Sequence, residues 1–289
     1  MTIGYGTQPR MGFFTDTSVC IGCKACEVAC KQWNDVPFDG LNFLGTSYDN
    51  TGALGADTWR HVAFIEQSRP AGTATPLGTT TSADGVAAAD GAASDVVADM
   101  RWLMSSDVCK HCTRAACLEV CPTGALFRTE FGTVVVQEDI CNGCGYCVPA
   151  CPFGVIDQRP SDGRVWKCTL CYDRLRGDQT PACAQACPTE SIMFGPLDDL
   201  RNRAAERVTT LQAAGEPSAR LYGADDGDGV GGFGAFFLLL DEPETYGLPP
   251  DPVTTTKDLP AMWATAAAAA GALTALAAIT LGSRGGGRR

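Results

Sequence analysis

Apolar and polar positions divide this chain into short runs, one long apolar exception and one stretch without any pattern. From Leu259 to Ser283 no residue is charged. LPAMWATAAAAAGALTALAAITLG, at about 1.5 Å per helical residue, is long enough to cross a hydrocarbon core of roughly 30 Å. It predicts one C-terminal transmembrane helix; its alanine content leaves a buried or docking helix as the alternative. LDDLRNRAAERVTTLQAAG (197–215) places Leu, Val and Ala at helical spacing, with Asp198 and Asp199 at its start and Gly215 at its end, and predicts a surface helix. AFFLLL (235–240) reads as a buried strand, and ALFRTEFGTVVVQED as a hairpin around a Phe-Gly turn. ETYGLPPDPVTTTKDLP is an extended connector to the terminal run. Residues 71–100, rich in Ala, Gly, Ser, Thr and Asp, show no period and read as a long exposed loop.

The 289 residues, 45% of them hydrophobic, leave room for one large domain or two smaller ones with a real core. The formal charge of −11 is localised: residues 71–100 carry four acids and no Lys or Arg, and 221–258 carry eight acids against Lys257, which accounts for the whole excess. The rest is near neutral, with no basic face for nucleic acid. The N-terminal segment has neither an apolar h-region nor a twin arginine and does not read as an export signal. Arg284, Arg288 and Arg289 follow the apolar run, while Lys257 beside Asp258 precedes it. The positive-inside rule then puts the tail in the cytoplasm and the large domain outside it.

Sixteen cysteines change the picture most. They form four quartets with none left over: Cys20, Cys23, Cys26, Cys30; Cys109, Cys112, Cys117, Cys121; Cys141, Cys144, Cys147, Cys151; and Cys168, Cys171, Cys183, Cys187. Three quartets close in Cys-Pro and continue as CPTGALFR, CPFGVIDQ and CPTESIMF, an internal repeat of a turn leading into a brief strand. Such units cannot fill their own core with side chains. Zinc ribbons present two Cys-x2-Cys knuckles a dozen or more residues apart, which the first and third quartets do not. Disulfides between residues three apart in one turn are geometrically awkward. In C-x2-C-x2-C-x3-C-P, three thiolates grip one side of a 4Fe–4S cubane and the fourth is carried by a starting helix to a different cluster, the pattern of bacterial ferredoxins. Sixteen thiolates make four 4Fe–4S clusters.

An oxidised cubane with four thiolates carries about −2, so burial and backbone N–H groups aimed at sulfur must control its stability and potential. Gly22, Gly143 and Gly145 let the backbone come close. The reading is α+β: two interlocked ferredoxin-like double-cluster modules with short hairpins and helices, plus the C-terminal helix. Its divisions are 1–70 (first quartet), 71–100 (an insertion), 101–196 (quartets two to four), 197–258 (helix, strand and connector), 259–283 (membrane helix) and 284–289 (basic tail).

No general-base pair, activated nucleophile or open metal position is visible. Of two histidines, His111 inside Cys-Lys-His-Cys reads as a ring packed beside a cluster, and His61 as a strand-end residue ahead of VAFI. GVGGFG (229–234) matches G-x-G-x-x-G, but it follows an acidic turn and precedes a strand, which predicts a flexible loop rather than a dinucleotide site. The constellation is that of an electron conduit.

GCKACEVACKQWND, CKHC, CNGCGYCVPACPFG and KCTLCYDR…PACAQACPTESIMFG resemble the iron–sulfur (beta) subunits of membrane-bound respiratory formate dehydrogenases. The cysteine motifs alone fit the wider set of four-cluster subunits of molybdopterin oxidoreductases; GVGG, AFFLLLDEPETYGLP and the single terminal span narrow it. The resemblance implies that quartets one and four share two clusters and quartets two and three the other two, although spacing alone also permits one with two and three with four. The implied ligand sets are Cys20, Cys23, Cys26 and Cys187; Cys30, Cys168, Cys171 and Cys183; Cys109, Cys112, Cys117 and Cys151; and Cys121, Cys141, Cys144 and Cys147. Implied partners are a molybdenum or tungsten bis-pterin catalytic subunit that oxidises formate and a membrane cytochrome b that reduces quinone. Export would depend on a partner with a twin-arginine signal. The alternatives are the equivalent subunit of a thiosulfate, polysulfide or sulfoxide reductase, and a free-standing polyferredoxin.

Overall fold

Two apolar runs far apart in the chain form the centre of the largest sheet. The computed structural model describes residues 9–40, 45, 48–49, 51–69 and 99–284. In chain order the elements are β1 (Met11–Asp16), α1 (Ala25–Trp33), β2 (Arg60–Arg69), β3 (Asp99–Val108), α2 (Ala116–Glu119), β4 (Leu126–Arg128) and β5 (Val134–Val136). They continue as α3 (Cys147–Ala150), β6 (Asp157–Gln158), β7 (Val165–Trp166), α4 (Tyr172–Arg176), α5 (Ala182–Gln185) and β8 (Ile192–Pro196). Last come α6 (Leu197–Ala213), β9 (Arg220–Tyr222), β10 (Ala235–Leu239) and α7 (Leu259–Arg284).

The sheet order is β8-β1-β10-β9, with β1 and β10 parallel and the outer pairs antiparallel. Every residue of β10 is buried, because both faces of the sheet are covered. Side chains alternate along a strand. Phe14 and Phe236, in register and stacked at 5.2 Å between ring centroids, therefore share the face on which α6 lays Leu197, Leu200 and Ala204. Arg207 of α6 bonds Asp16 on that same face. Phe13 and Phe237 point the other way, toward the cysteine-bearing half of the molecule. Each fully buried Phe or Leu contributes about 1.5–3 kcal/mol, so this sheet is the rigid wall behind the site.

The surface helix, the buried strand at 235–239 and the hairpin β4–β5 stand where the pattern predicts them. Each Cys-Pro turn leads into a short strand: β4, β6 and β8. The loop expected at 71–100 lies outside the described residues except at its end, where Asp99 and Met100 begin β3. That strand pairs with β2 over ten positions, from Arg60↔Val108 to Arg69↔Asp99. The loop at 229–234, expected to be flexible, is instead held down, and from Val230 to Gly234 it is buried. Its backbone pairs with the second quartet through Thr113 N–H to Gly232 O (3.0 Å), Arg114 N–H to Val230 O (2.8 Å) and Gly234 N–H to Lys110 O (2.9 Å). The connector is likewise strapped down. Tyr222 donates to Pro249 O (2.6 Å), Thr255 to Ala150 O (2.9 Å), and Thr256 to Glu119. Beyond it every residue of α7 from Leu259 to Leu281 is exposed, and this is the one described helix long and apolar enough to cross a membrane.

Candidate functional site

Each quartet is a loop with left-handed backbone that ends in a short helix. In the first, Asp16 accepts from the Ser18 N–H (2.9 Å) and closes a 3-10 turn before Cys20. Gly22 (φ +67°) and Lys24 (φ +59°) then curl the chain, and α1 holds Cys26 and Cys30 one turn apart, both buried. A Cβ on Gly22 would lie 2.6 Å from the Phe64 ring, so the loop fits β2–β3 only with hydrogen there. The third quartet repeats the design: Gly143 (φ +71°) approaches the Gly163 carbonyl so closely that a Cβ would fall 2.2 Å from its oxygen. In the second and fourth, His111, Leu170 and Cys171 adopt positive φ, and α2 and α5 carry Cys117 and Cys183.

All sixteen thiols are free, so none is spent on a disulfide. Among the described residues, no three Cys, His, Asp or Glu side chains converge as ligands of one ion. The thiols nevertheless stand in neighbourly sets. Burial raises the Cys20 thiol, and the charges of Cys26, Cys187 and Cys23 raise it further. Burial raises Cys30 well above the usual range, with Cys168, Cys183 and Cys171 as its charged neighbours. Cys112 is raised in the same way beside Cys109, Cys117 and Cys151. Burial pushes Cys147 up to about 12, beside Cys121, Cys141 and Cys144.

A few neighbours cross from set to set. Cys183 acts on Cys26, Cys109 on Cys168, and Cys147 on Cys117. Burial is the leading cause at all three, pushing Cys26 up to about 11 and Cys168 and Cys117 up to about 12. Charge thus links the first set to the second, the second to the third and the third to the fourth. Cys23 and Cys144, one in the first set and one in the fourth, are the two exposed cysteines.

The polar surroundings are those that thiolate–iron bodies require. Proline has no N–H, so after a Cys-Pro turn the following amides turn back on the sulfur. The Val155 and Phe153 amides favour the ionised form of Cys151, and the Leu126, Thr123 and Ala125 amides that of Cys121. At Cys121 burial opposes ionisation, but these donors and the Thr123 hydroxyl outweigh it and the thiol is lowered. A small cavity of about 20 Å³ is lined by Cys109, Cys112, Cys117 and Cys151, with Lys110, His111 and Lys167 in its wall. His111 Nδ1 accepts the Val134 N–H (3.1 Å), which leaves the proton on Nε2, a buried nitrogen without a partner. Burial, then Lys167 and Arg128, hold this imidazole well below its ordinary range and so neutral. The vacant N–H donor, the thiol sets and the amides beside Cys121 and Cys151 fit 4Fe–4S groups.

Three buried cations were not legible as site residues: Arg60, Lys110 and Lys167. Lys110 pairs with Asp107 and donates to Val108 O (3.0 Å); Lys167 donates to Val134 O and to Cys168 O (2.9 Å). Their places next to Cys109 and Cys168 were the available signal. Arg60 had none, being distant in sequence from every cysteine. His61 sits near the start of β2, as expected; it is buried, and its partner is the Asp49 carboxylate (2.8 Å) rather than a thiol.

Comparison with known proteins agrees with this chemistry. Matches to the family described as 4Fe–4S dicluster domain cover residues 19–125 and 100–197. Two such double-cluster units, with sixteen cysteines, give this chain four 4Fe–4S clusters. The formate dehydrogenase iron-sulfur subunit of Haemophilus influenzae is 39% identical over 84% of this chain and 72% of its own length. The formate dehydrogenase-O iron-sulfur subunit of Escherichia coli is 37% identical over 94% and 82%. One chain of the anaerobic dimethyl sulfoxide reductase of Escherichia coli is 35% identical over 67% and 77%.

Proposed function

From the premise that the chain belongs to the formate dehydrogenase iron–sulfur subunit family, we propose that it relays electrons from a formate-oxidising molybdopterin catalytic subunit to a membrane cytochrome b serving quinone. When bound, the four 4Fe–4S groups supply one-electron redox chemistry. The protein's part is to space them, bury them and meet their charge. The observation that carries the reading is the charge-linked series of thiol sets with an exposed cysteine in the first and in the last, because a relay needs two accessible ends and an insulated middle.

The same neighbours support the ligand sets that the motifs imply. Cys20, Cys23, Cys26 and Cys187 hold the first cluster; Cys30, Cys168, Cys171 and Cys183 the second; Cys109, Cys112, Cys117 and Cys151 the third; and Cys121, Cys141, Cys144 and Cys147 the fourth. Quartets one and four thereby interlock, as do two and three. The connector supports a direction in space: Thr255 and Thr256 tie the root of α7 to Ala150 and Glu119, beside the third and fourth sets. The fourth cluster then faces the membrane partner and the first the catalytic one. α7 anchors the subunit, with the basic tail cytoplasmic and the cluster domain outside.

A sulfoxide reductase subunit is the second reading, since that relative is 35% identical over 67% of this chain. The matches to formate dehydrogenase subunits extend over more of this chain. Anaerobic purification of the chain from its native membrane decides between them. The expected result is co-elution of formate-dependent dye reduction with about sixteen irons per chain. Reduction of a sulfoxide or sulfur substrate without formate activity would overturn the assignment.

A further inference from the structure

Arg60 opens β2 opposite Val108, the residue that precedes Cys109, and only 2% of it is exposed. Its Nη1 donates to Ser106 O and Ser106 Oγ, both at 3.2 Å. The guanidinium carbon lies 5.0 Å from the Phe13 ring centroid, so one side rests on the wall of the main sheet. Nε and Nη2 meet no oxygen or nitrogen acceptor in the protein, and the guanidinium stands beside the Cys183 thiol, whose ionised form it favours. Among the described residues no carboxylate pairs with it. A permanent cation held this way is costly unless something of opposite charge lies beside it.

The groups whose charge reaches Arg60 are Cys183, Cys26, Cys168 and Cys30. Ser106 marks the same place, since its hydroxyl is 3.2 Å from Cys26 Sγ as well as from Nη1. In the ligand sets proposed above, on which this inference rests, Cys26 belongs to the first cluster and Cys30, Cys168 and Cys183 to the second. Lys110 and Lys167, by contrast, are already occupied by Asp107 and by backbone carbonyls. Around Cys121 and Cys147 the compensating groups are amides rather than a buried cation.

We propose that Arg60 is the shared counter-charge of the first and second clusters, placed between them to raise both reduction potentials through its guanidinium charge. The sign follows from charge. Reduction adds one electron and makes a cluster one unit more negative, so a neighbouring cation favours the reduced form. Arg60 holds the two potentials up together relative to those of the third and fourth clusters. Deep burial keeps salt from screening the effect.

The test is redox titration of the purified complex, followed by low-temperature EPR, with Arg60→Gln and Arg60→Lys. In Arg60→Gln two of the four potentials should fall by at least a tenfold change in the oxidised-to-reduced ratio, about 59 mV for a one-electron couple. The other two should stay put, and Arg60→Lys should recover most of the shift. No shift, or an equal shift at all four, would overturn the proposal. If Arg60→Gln fails to assemble while Arg60→Lys loads four clusters near their normal potentials, the charge requirement stands; loss of both variants makes Arg60 a packing residue and sinks it. Wild-type complex with fewer than four clusters would instead count against the underlying four-cluster reading.

Discussion

At the scale of single residues, the site depends on partners far apart in sequence. Cys187 is a charged neighbour of Cys20 and Cys183, from the same quartet, of Cys30, which is why the proposed ligand sets divide that quartet between two clusters. Replacing one ligand therefore should not damage its sequence neighbours equally. Cys187→Ser is expected to alter the EPR signal and lower the iron occupancy of the cluster at the exposed Cys23 edge, while the cluster of Cys30, Cys168, Cys171 and Cys183 keeps its signal. Loss of both signals together would mean that the two sets are not separate. His111 illustrates the opposite case, a residue whose neighbourhood was readable but whose chemistry was not. Its place between Lys110 and Cys112 predicted a ring beside a cluster. That Val134 fixes its tautomer follows only from the fold, because β5 reaches it from more than twenty positions away.

At the scale of elements, the turns carry the precision. Gly143 and Gly145 were expected to let the backbone approach sulfur; what Gly143 approaches is instead the backbone of the β6–β7 hairpin, at Gly163 O, and Gly145 has only an ordinary contact with Gln158. Gly143→Ala combines left-handed backbone strain of roughly 1–2 kcal/mol with a collision against a carbonyl that cannot step aside. It should lower the melting temperature by several degrees and deplete iron at the fourth cluster. Gly154→Ala, also left-handed (φ +62°) but facing open space, should cost only the strain and leave iron content unchanged. Equal losses in calorimetry and iron analysis would show that strain alone matters. The strand at 235–239 was visible as an apolar run, and its parallel pairing with β1 was not. Period and composition say that a strand is buried on both faces without saying which distant strand lies next to it.

At the scale of the whole molecule, a cluster-bearing body and an isolated apolar helix are joined by a strap. The strap belongs to the body, through Thr254 Oγ1 to Gly229 O (2.9 Å) and the bonds of Thr255 and Thr256, while α7 shares no buried surface with it. A chain ending at Asp258, produced with the catalytic subunit but without the membrane cytochrome b, should therefore retain its four clusters yet leave the membrane fraction without detergent. Continued sedimentation with membranes after carbonate washing would assign attachment to the body's own surface instead. The acidic excess of 221–258 sits in this same region, and part of it is structural: Asp228 accepts the Val230 and Gly232 N–H groups and shapes the buried loop that backs the second quartet.

What the sequence determined by itself was the local chemistry. Cysteine spacing within a turn, Cys-Pro stops and an uncharged run of membrane length are properties of neighbouring residues, and their geometry follows from bond lengths and helical rise. Tertiary structure decided which thiols face one another, which amides reach them, and where charge is buried. Arg60 is the clearest instance. Nothing in RHVAF separates it from an ordinary strand-end arginine, because its role arises from Ser106 across the hairpin, Phe13 from the main sheet and thiols from two quartets, which only folding brings together.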